Sequence, residues 1–221
     1  MLQSMRKHAR FFYILFFIVI ISFVFWGVGG LDQPTSVSVA EIGKEKITVE
    51  EYWRAYENVR NTYRDLYQGQ FDEEAEKKLQ LKETVLNNLI DQRVLLLTAK
   101  SLGIAVTDKE LQDAITHDPR FMRDGVFRKD IYFRTLELSR ITPDQFENMM
   151  RQDRMLLKMR RLIESAVDLT PADTKGITGT DAVAEQTKQA ILFTKRNAVL
   201  KSYVEGMRER MEVKINKDAI S

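Results

Sequence analysis

Apolar positions follow three different periods along this chain, and each predicts a different kind of element. Phe11 to Val28 is an unbroken apolar run without a charged residue, preceded by Arg6, Lys7 and Arg10. As a helix it spans about 27 Å, and continuation through Gly29, Gly30 and Leu31 brings it to about 32 Å, enough to cross a hydrocarbon core of about 30 Å once. The pattern predicts a cytoplasmic N-terminus at 1–10 and a single transmembrane helix at 11–31, with the remaining chain exported by the positive-inside rule. A secretory signal peptide has a shorter apolar core and ends at a small-x-small cleavage site. The nearest such cut here, after Val39 and Ala40, lies well past the apolar end, which favours an uncleaved anchor.

Beyond a polar tether at 31–37, Ser38 to Ile42 and Lys46 to Thr48 read as two short strands turning at Gly43 and Lys44. Thr48 and Glu51 have capping-box spacing, and Tyr52, Tyr56, Val59, Tyr63 and Leu66 then draw one helical stripe, widened by Trp53 and Tyr67. A longer helix is expected from about Glu73 to Leu102, carrying Val85, Leu86, Leu89, Ile90, Val94, Leu96 and Leu97 and stopped by Gly103. Thr107 and Glu110 start a short helix that His117, Asp118 and Pro119 end, and Arg128 to Leu138 offers another. Thr142-Pro143 opens a helix running to about Val167, because proline at the first helical position loses no hydrogen bond. The stretch 172–184, with Gly176 and Gly179, reads as a linker, and a further helix is expected over 185–210. Glu212 to Asn216 alternates as a strand without a sequence neighbour, so Val213 and Ile215 are expected to pair back with the first hairpin.

Composition narrows the classes of function. All 32 acidic side chains, and all of the 34 basic ones except Arg6, Lys7 and Arg10, lie beyond the apolar run, leaving that part within one charge of neutral. Its even mixture lacks the concentrated basic patch that nucleic acid requires. The absence of cysteine excludes disulfides, thiolate metal sites and cysteine nucleophiles. No glycine-rich phosphate loop, His-x-x-x-His pair or serine nucleophile motif is present, and no cofactor is implied. His117 beside Asp118 fits a helix-ending turn better than an acid–base pair. The acidic groups Glu50-Glu51 and Asp72-Glu73-Glu74 sit at helix starts, where the helix dipole favours negative charge.

Taken in order, several stretches resemble the N-terminal chaperone domain of the SurA, PpiD and PrsA family of exported folding factors, above all its membrane-anchored PpiD type. They are Phe25-Trp26-Gly27-Val28, Val39-Ala40-Glu41-Ile42-Gly43 leading to Ile47-Thr48, Leu86-Asn87-Asn88-Leu89-Ile90-Asp91, and Gly103-Ile104. They continue with Asp118-Pro119-Arg120-Phe121, Gly125-Val126-Phe127 and Ile141-Thr142-Pro143-Asp144-Gln145-Phe146. Lys195-Arg196, Ser202-Tyr203-Val204, Met207-Arg208 and Val213-Lys214-Ile215-Asn216 look like the family's closing helix and strand. The resemblance implies a mainly α fold in which a small sheet pairs the N- and C-terminal strands. It places a SurA-N-like chaperone domain at 38–171, a linker at 172–184 where isomerase relatives carry a parvulin domain, and a returning helix and strand at 185–216. With that domain missing, catalytic carry-over is empty and no enzyme activity is expected.

Two apolar clusters are candidates for holding a client polypeptide. Met149, Met150, Met155 and Met159, with Phe146, fall on more than one face of a helix, which suits either a core between several helices or a repackable binding surface. Phe121, Met122, Phe127, Tyr132 and Phe133 concentrate in an irregular region, where they either plug a core or line a groove for extended apolar chain. The expected function is a membrane-anchored periplasmic chaperone of the bacterial inner membrane. It would hold unfolded or newly translocated proteins without ATP and without isomerase activity, near the translocation machinery. A dedicated scaffold subunit of one membrane complex, and a folding factor acting with a separate parvulin, are the alternatives.

Overall fold

The structure is a computed structural model and describes residues 37–69, 71–177 and 180–220. The chain divides into two compact units, Met1–Val37 and Ser38–Ser221, and the fold described here is that of the second. The expected anchor at Phe11 to Val28 lies outside the described residues. Among the described residues no helix is long and apolar enough to cross a membrane.

The second unit is mainly α-helical with two small sheets. Strands β1 (Ser38–Ile42) and β2 (Glu45–Thr48) form the expected hairpin, with Ile42 opposite Glu45 and Glu41 opposite Lys46. Gly43 takes the turn at φ +59, a backbone region that costs glycine little. Much later in the chain, β5 (Lys214–Ile215) pairs antiparallel with β1, giving the order β2-β1-β5. Ile215 lies opposite Ala40, while Val213, also expected in the strand, precedes it and packs on the core below. Asn216 N–H donates to Val39 C=O at 2.9 Å and extends the seam by one bond.

Helix α1 (Val49–Leu66) starts as its spacing predicts, with Thr48 accepting from the Glu51 N–H at 3.1 Å. Glu51 does not close the reciprocal half of the box; its carboxylate turns to Arg93 Nη2 at 2.7 Å and ties α1 to a later helix. The long helix expected from Glu73 to Leu102 is two helices, α2 (Glu73–Lys78) and α3 (Leu81–Ser101). The chain breaks at Gln80, which adopts φ +47. The break serves both sides: Leu81 enters the core at 2% exposure, and Glu76 on α2 meets Tyr56 and Arg60 on α1. Gly103, at φ +72, ends α3 with the Ile104 N–H donating back to Ala99 C=O at 2.9 Å.

Helix α4 (Asp108–Thr116) carries the complete Thr107–Glu110 capping box. His117 ends it, with Nδ1 2.8 Å from Asp113 C=O. A 3-10 turn at Pro119–Phe121 leads into a ribbon of β3 (Met122–Arg123) and β4 (Val126–Phe127), too short to announce itself by alternation. Then come α5 (Lys129–Leu138), α6 (Pro143–Ser165) and a one-turn α7 (Pro171–Thr174) inside the expected linker. Helix α8 (Asp181–Arg210) begins four residues before the expected start at 185. A last 3-10 turn, Lys217–Ile220, follows β5.

Three apolar clusters hold these elements together. The first joins the sheet to α1, α3 and the C-terminal turn through Val39, Ile42, Ile47, Tyr52, Val85, Ile90 and Ile220. The second joins α4, the 3-10 turn, α5 and the start of α6 through Leu111, Ile115, Phe121, Tyr132, Leu136 and Phe146. The third sits where α3, α6 and α8 meet, around Leu95, Ala99, Met159, Ile163 and Val204.

Candidate functional site

The irregular region that concentrates aromatic residues in the sequence folds into the second cluster. Phe121, Tyr132 and Phe146 meet edge to face, with ring centroids 5.1 Å (Phe121–Tyr132), 5.5 Å (Phe121–Phe146) and 5.8 Å (Tyr132–Phe146) apart. Such geometry sets the positive edge of one ring on the negative face of another. Arg120 lies over both Phe121 and Phe146, and its guanidinium is held by Asp118, with Nη2 to Oδ2 at 2.7 Å. These hydrogen bonds from Arg120 keep the Asp118 carboxyl below its ordinary range. His117 and Asp118 therefore end one helix and start the next turn.

Burial separates the ten candidate client-binding residues into three sets. Phe121, Tyr132, Phe146 and Met159 are core residues, exposed by 1%, 6%, 6% and 1%, so in this conformation they hold the fold and are not open to a client. Met122, Phe127, Met150 and Met155 are half-buried at the margins of the clusters. Phe133 and Met149 reach solvent, each 47% exposed. The methionine-rich helix α6 thus divides its methionines between core and surface. Met159 fills the core between three helices, Met155 bridges two cores, and Met149 projects outward.

Sequence reasoning missed other exposed apolar groups. Leu138 at the end of α5, Leu157 on α6, and Val183 and Phe193 on α8 all reach solvent, as do Val126 and Leu162, which the sequence already grouped with the two apolar clusters. A signal for Phe193 was present: Ala190-Ile191-Leu192-Phe193 is a run of four apolar residues, which a helix turning about 100° per residue cannot bury on one face.

Open cavities indent the surface of the described residues, three of them with informative linings. One of about 730 Å³ is lined by Trp53, Tyr56, Glu76, Leu81, Leu86 and Ile220. Within it Tyr56 Oη donates to Glu76 Oε2 and Arg60 Nε to Glu76 Oε1, both at 2.6 Å. Burial, with the carboxylate beside it, pushes the Tyr56 hydroxyl up to about 12, while the bond from Tyr56 and the pair with Arg60 hold Glu76 low. Each group consumes the other's bonding capacity, so this trio fixes α2 on α1 and has no proton to exchange near neutrality. A cavity of about 540 Å³ between α4 and α6 mixes Glu110 and Asp113 with Arg154, Lys158 and Arg161. The third, about 520 Å³, lies among α3, α6 and α8 and is rimmed by Asn87, Asn88, Gln92 and Asn197 over Leu95 and Leu200. Among the described residues no group of three or more His, Asp or Glu side chains is placed to hold a metal ion.

Residues 1–160 match the SurA-like N-terminal domain. The chain belongs to this SurA-like family. The periplasmic chaperone PpiD of Escherichia coli strain K12 is 29% identical over 157 residues, 68% of this chain and 25% of that protein. PpiD of Haemophilus influenzae is 24% identical over 163 residues, 72% of this chain and 26% of that protein. The chain spans about a quarter of the length of the curated relatives it matches. The family match stops within α6, so α8 and β5 lie beyond it. Direct contacts attach them to the family domain: β5 to β1, and Arg208 of α8 to Asp91 and Asn87 of α3.

Proposed function

We propose that this chain is a membrane-anchored chaperone that holds unfolded or newly translocated polypeptides on the exported side of a bacterial inner membrane. It works by reversible apolar contact, without ATP and without isomerase activity of its own. The observation that carries this reading is the set of large apolar side chains left in solvent on α5, α6 and α8 of a chain whose residues 1–160 match the SurA-like domain: Phe133, Met149, Leu157, Leu162 and Phe193. Several separate apolar groups can each make a weak contact, which suits clients of varied sequence better than one shaped pocket would.

The apolar run Phe11–Val28 behind Arg6, Lys7 and Arg10 supports the anchor and its orientation. Confinement to the membrane raises the local concentration of the domain near emerging chains, so weak contacts suffice. The reading divides the exported part into a chaperone domain, a short connection around α7 where isomerase relatives carry a further domain, and a closing helix and strand. The name borne by the PpiD relatives, periplasmic chaperone, points the same way.

Aggregation of a denatured reporter protein, measured with and without the full chain in lipid nanodiscs, tests the proposal. Suppression is expected, and its absence at several-fold excess would sink the idea. Affinity purification from membranes adds a second discriminator. Many substoichiometric partners accord with a chaperone, whereas one stoichiometric partner identifies a scaffold subunit of a single complex.

A further inference from the structure

One face of α8 changes character along its length. Phe193, Asn197, Leu200 and Val204 recur at four and three residues, so they form a single stripe. Val204 is buried in the third core, Leu200 is half-buried beside it, and Asn197 and Phe193 are exposed, Phe193 by 68%. The face that packs α8 on α3 and α6 therefore runs on into solvent. On α3, Asn88, Gln92 and Leu95 are spaced in the same way, with both amides exposed and Leu95 buried. The open cavity of about 520 Å³ lies between these two stripes, with Leu95, Leu200 and Val204 in its apolar part and Asn88, Gln92 and Asn197 among its polar lining.

The polar lining is mostly neutral. Arg208 is spent on Asp91 and Asn87, and Lys201 Nζ lies 3.9 Å from Glu205, which leaves Arg160 as the remaining charge in the lining. The side-chain amides of Asn88, Gln92 and Asn197 make no hydrogen bond to any described residue. Each carries an N–H donor and a C=O acceptor, the same two groups that a peptide unit presents. A helix has already paired its main-chain groups internally and has none to give to such a rim, whereas an extended segment outside a sheet has both free at every residue. Alternate side chains of an extended segment point to opposite faces, so one enters an apolar floor while its neighbours stay in water.

We propose that the cavity between α3 and α8 receives an extended, uncharged segment of a client polypeptide. Asn88, Gln92 and Asn197 bond its main chain, one apolar side chain rests on Leu95 and Leu200, and another lies against Phe193 where the α8 stripe continues. The proposal rests on the client-holding reading above and adds to it a place on the domain and the part of the client that is recognised. Main-chain groups are common to every polypeptide, so these contacts ask of client sequence only an apolar residue for the floor.

The test uses the full chain in lipid nanodiscs and a fluorescent, permanently unfolded, reduced and alkylated reporter protein. All three amides are exposed and alanine is the strongest helix former, so the triple variant Asn88→Ala, Gln92→Ala, Asn197→Ala should match or exceed the wild-type thermal midpoint. Its Kd for the reporter should be weakened about five- to thirtyfold. A short competitor peptide alternating leucine and serine separates main chain from side chain, because methylating its peptide nitrogens removes donors and keeps every side chain. Methylation should weaken competition about tenfold on the wild type and less than about twofold on the triple variant. Equal reporter Kd values for wild type and triple variant, or an equal loss on methylation in both, overturn this inference and leave client holding to apolar contact elsewhere. If the wild type fails to bind the reporter at all, the client-holding reading falls and this inference falls with it.

The chain has no cysteine, so Asn197→Cys and the control Asn61→Cys, exposed on α1, each introduce a single thiol. An environment-sensitive dye on the thiol at 197 should respond to the reporter, and one at 61 should not. A response no larger at 197 than at 61 overturns the placement. Disulfide-linked dimers forming much faster through 197 than through 61 overturn it too, because the cavity would then belong to a second copy of the chain.

Discussion

Arg208 and Asp91, 117 positions apart in sequence, are joined by Arg208 Nε to Asp91 Oδ1 at 2.6 Å. The same guanidinium donates to Asn87 C=O at 2.9 Å, so one side chain of α8 grips a full turn of α3. Burial raises the Asp91 carboxyl above its ordinary value, and Arg208 pulls it back down. Removing the cation leaves a partly buried carboxylate and a carbonyl without their donor. Arg208→Ala should cost about 1 to 2 kcal/mol, read as a lower urea midpoint at an unchanged slope. An unchanged midpoint would show that α8 is held by apolar packing alone.

The break at Gln80 gives a prediction of opposite sign. Gln80 sits at φ +47, where a side chain is strained and glycine is not. Gln80→Gly should raise the thermal midpoint slightly, by the equivalent of about 0.5 to 1 kcal/mol, while Gln80→Val should lower it. If the glycine variant melts lower, α2 and α3 are not separated by a left-handed residue in solution.

Glu76 is the shared acceptor of Tyr56 and Arg60, and its side chain is only 12% exposed. Glu76→Ala should destabilise by about 1 to 3 kcal/mol, because the Tyr56 hydroxyl is left buried without an acceptor. Tyr56→Phe in that background should recover part of the loss, since it removes the orphaned group. A double-mutant cycle in denaturant reads the coupling.

Core and surface members of the two apolar clusters should part company experimentally. Phe121→Ala should cost about 3 to 5 kcal/mol and Met159→Ala about 2 to 5, as expected for cavities at fully buried sites. Met149→Ser and Phe193→Ser, both at exposed positions, should stay within about 0.5 kcal/mol of wild type while reducing protection in the aggregation assay. Loss of protection without loss of stability is the informative outcome. Full protection by both serine variants would remove these side chains from the client surface.

Acid should loosen the α4–α6 contact. Glu110 is held down to about 2, first by the hydrogen bond from Lys158 and then by the Thr107 N–H, against an ordinary value of 4.5. A carboxylate lowered in the folded state stabilises above its unfolded value and loses that contribution as pH falls through the folded one. The thermal midpoint should therefore decline between about pH 5 and pH 2, with Glu76 and Asp118 acting in the same direction. Glu110→Gln should start lower and show a flatter acid limb, which a pH series of melts would reveal.

Local signals made much of this architecture legible. Thr107 with Glu110, and Thr142 with Pro143, start helices because each signal is satisfied within one turn of chain. Gly103 ends α3 for the same local reason. Even the pairing of β5 with the first hairpin followed from elimination, since a strand needs a partner and that hairpin held the other strand candidates, whereas the choice of β1 over β2 came from the structure. The division at Gln80 was not legible, because glutamine favours helices and neither glycine nor proline marks the break. Nothing nearby requires the break; it is set by where Leu81 and Glu76 must go, one to the core and the other to α1.

The candidate surface divides along the same line. By itself the sequence determined the kinds of residue available: an apolar run long enough to span a bilayer, a mainly helical remainder, methionines and aromatic residues in two clusters, and membership of a family recognisable from ordered short motifs. Only the tertiary structure decided which of those side chains meet solvent. Periodicity tells how residues are spaced around one helix, but exposure depends on which faces neighbouring helices cover. Tyr132 and Phe133 are adjacent in sequence, yet one is caged in the core with an unpaired hydroxyl and the other stands open beside it. That difference arises from α5 packing against the 3-10 turn and α6, contacts between segments that are distant along the chain.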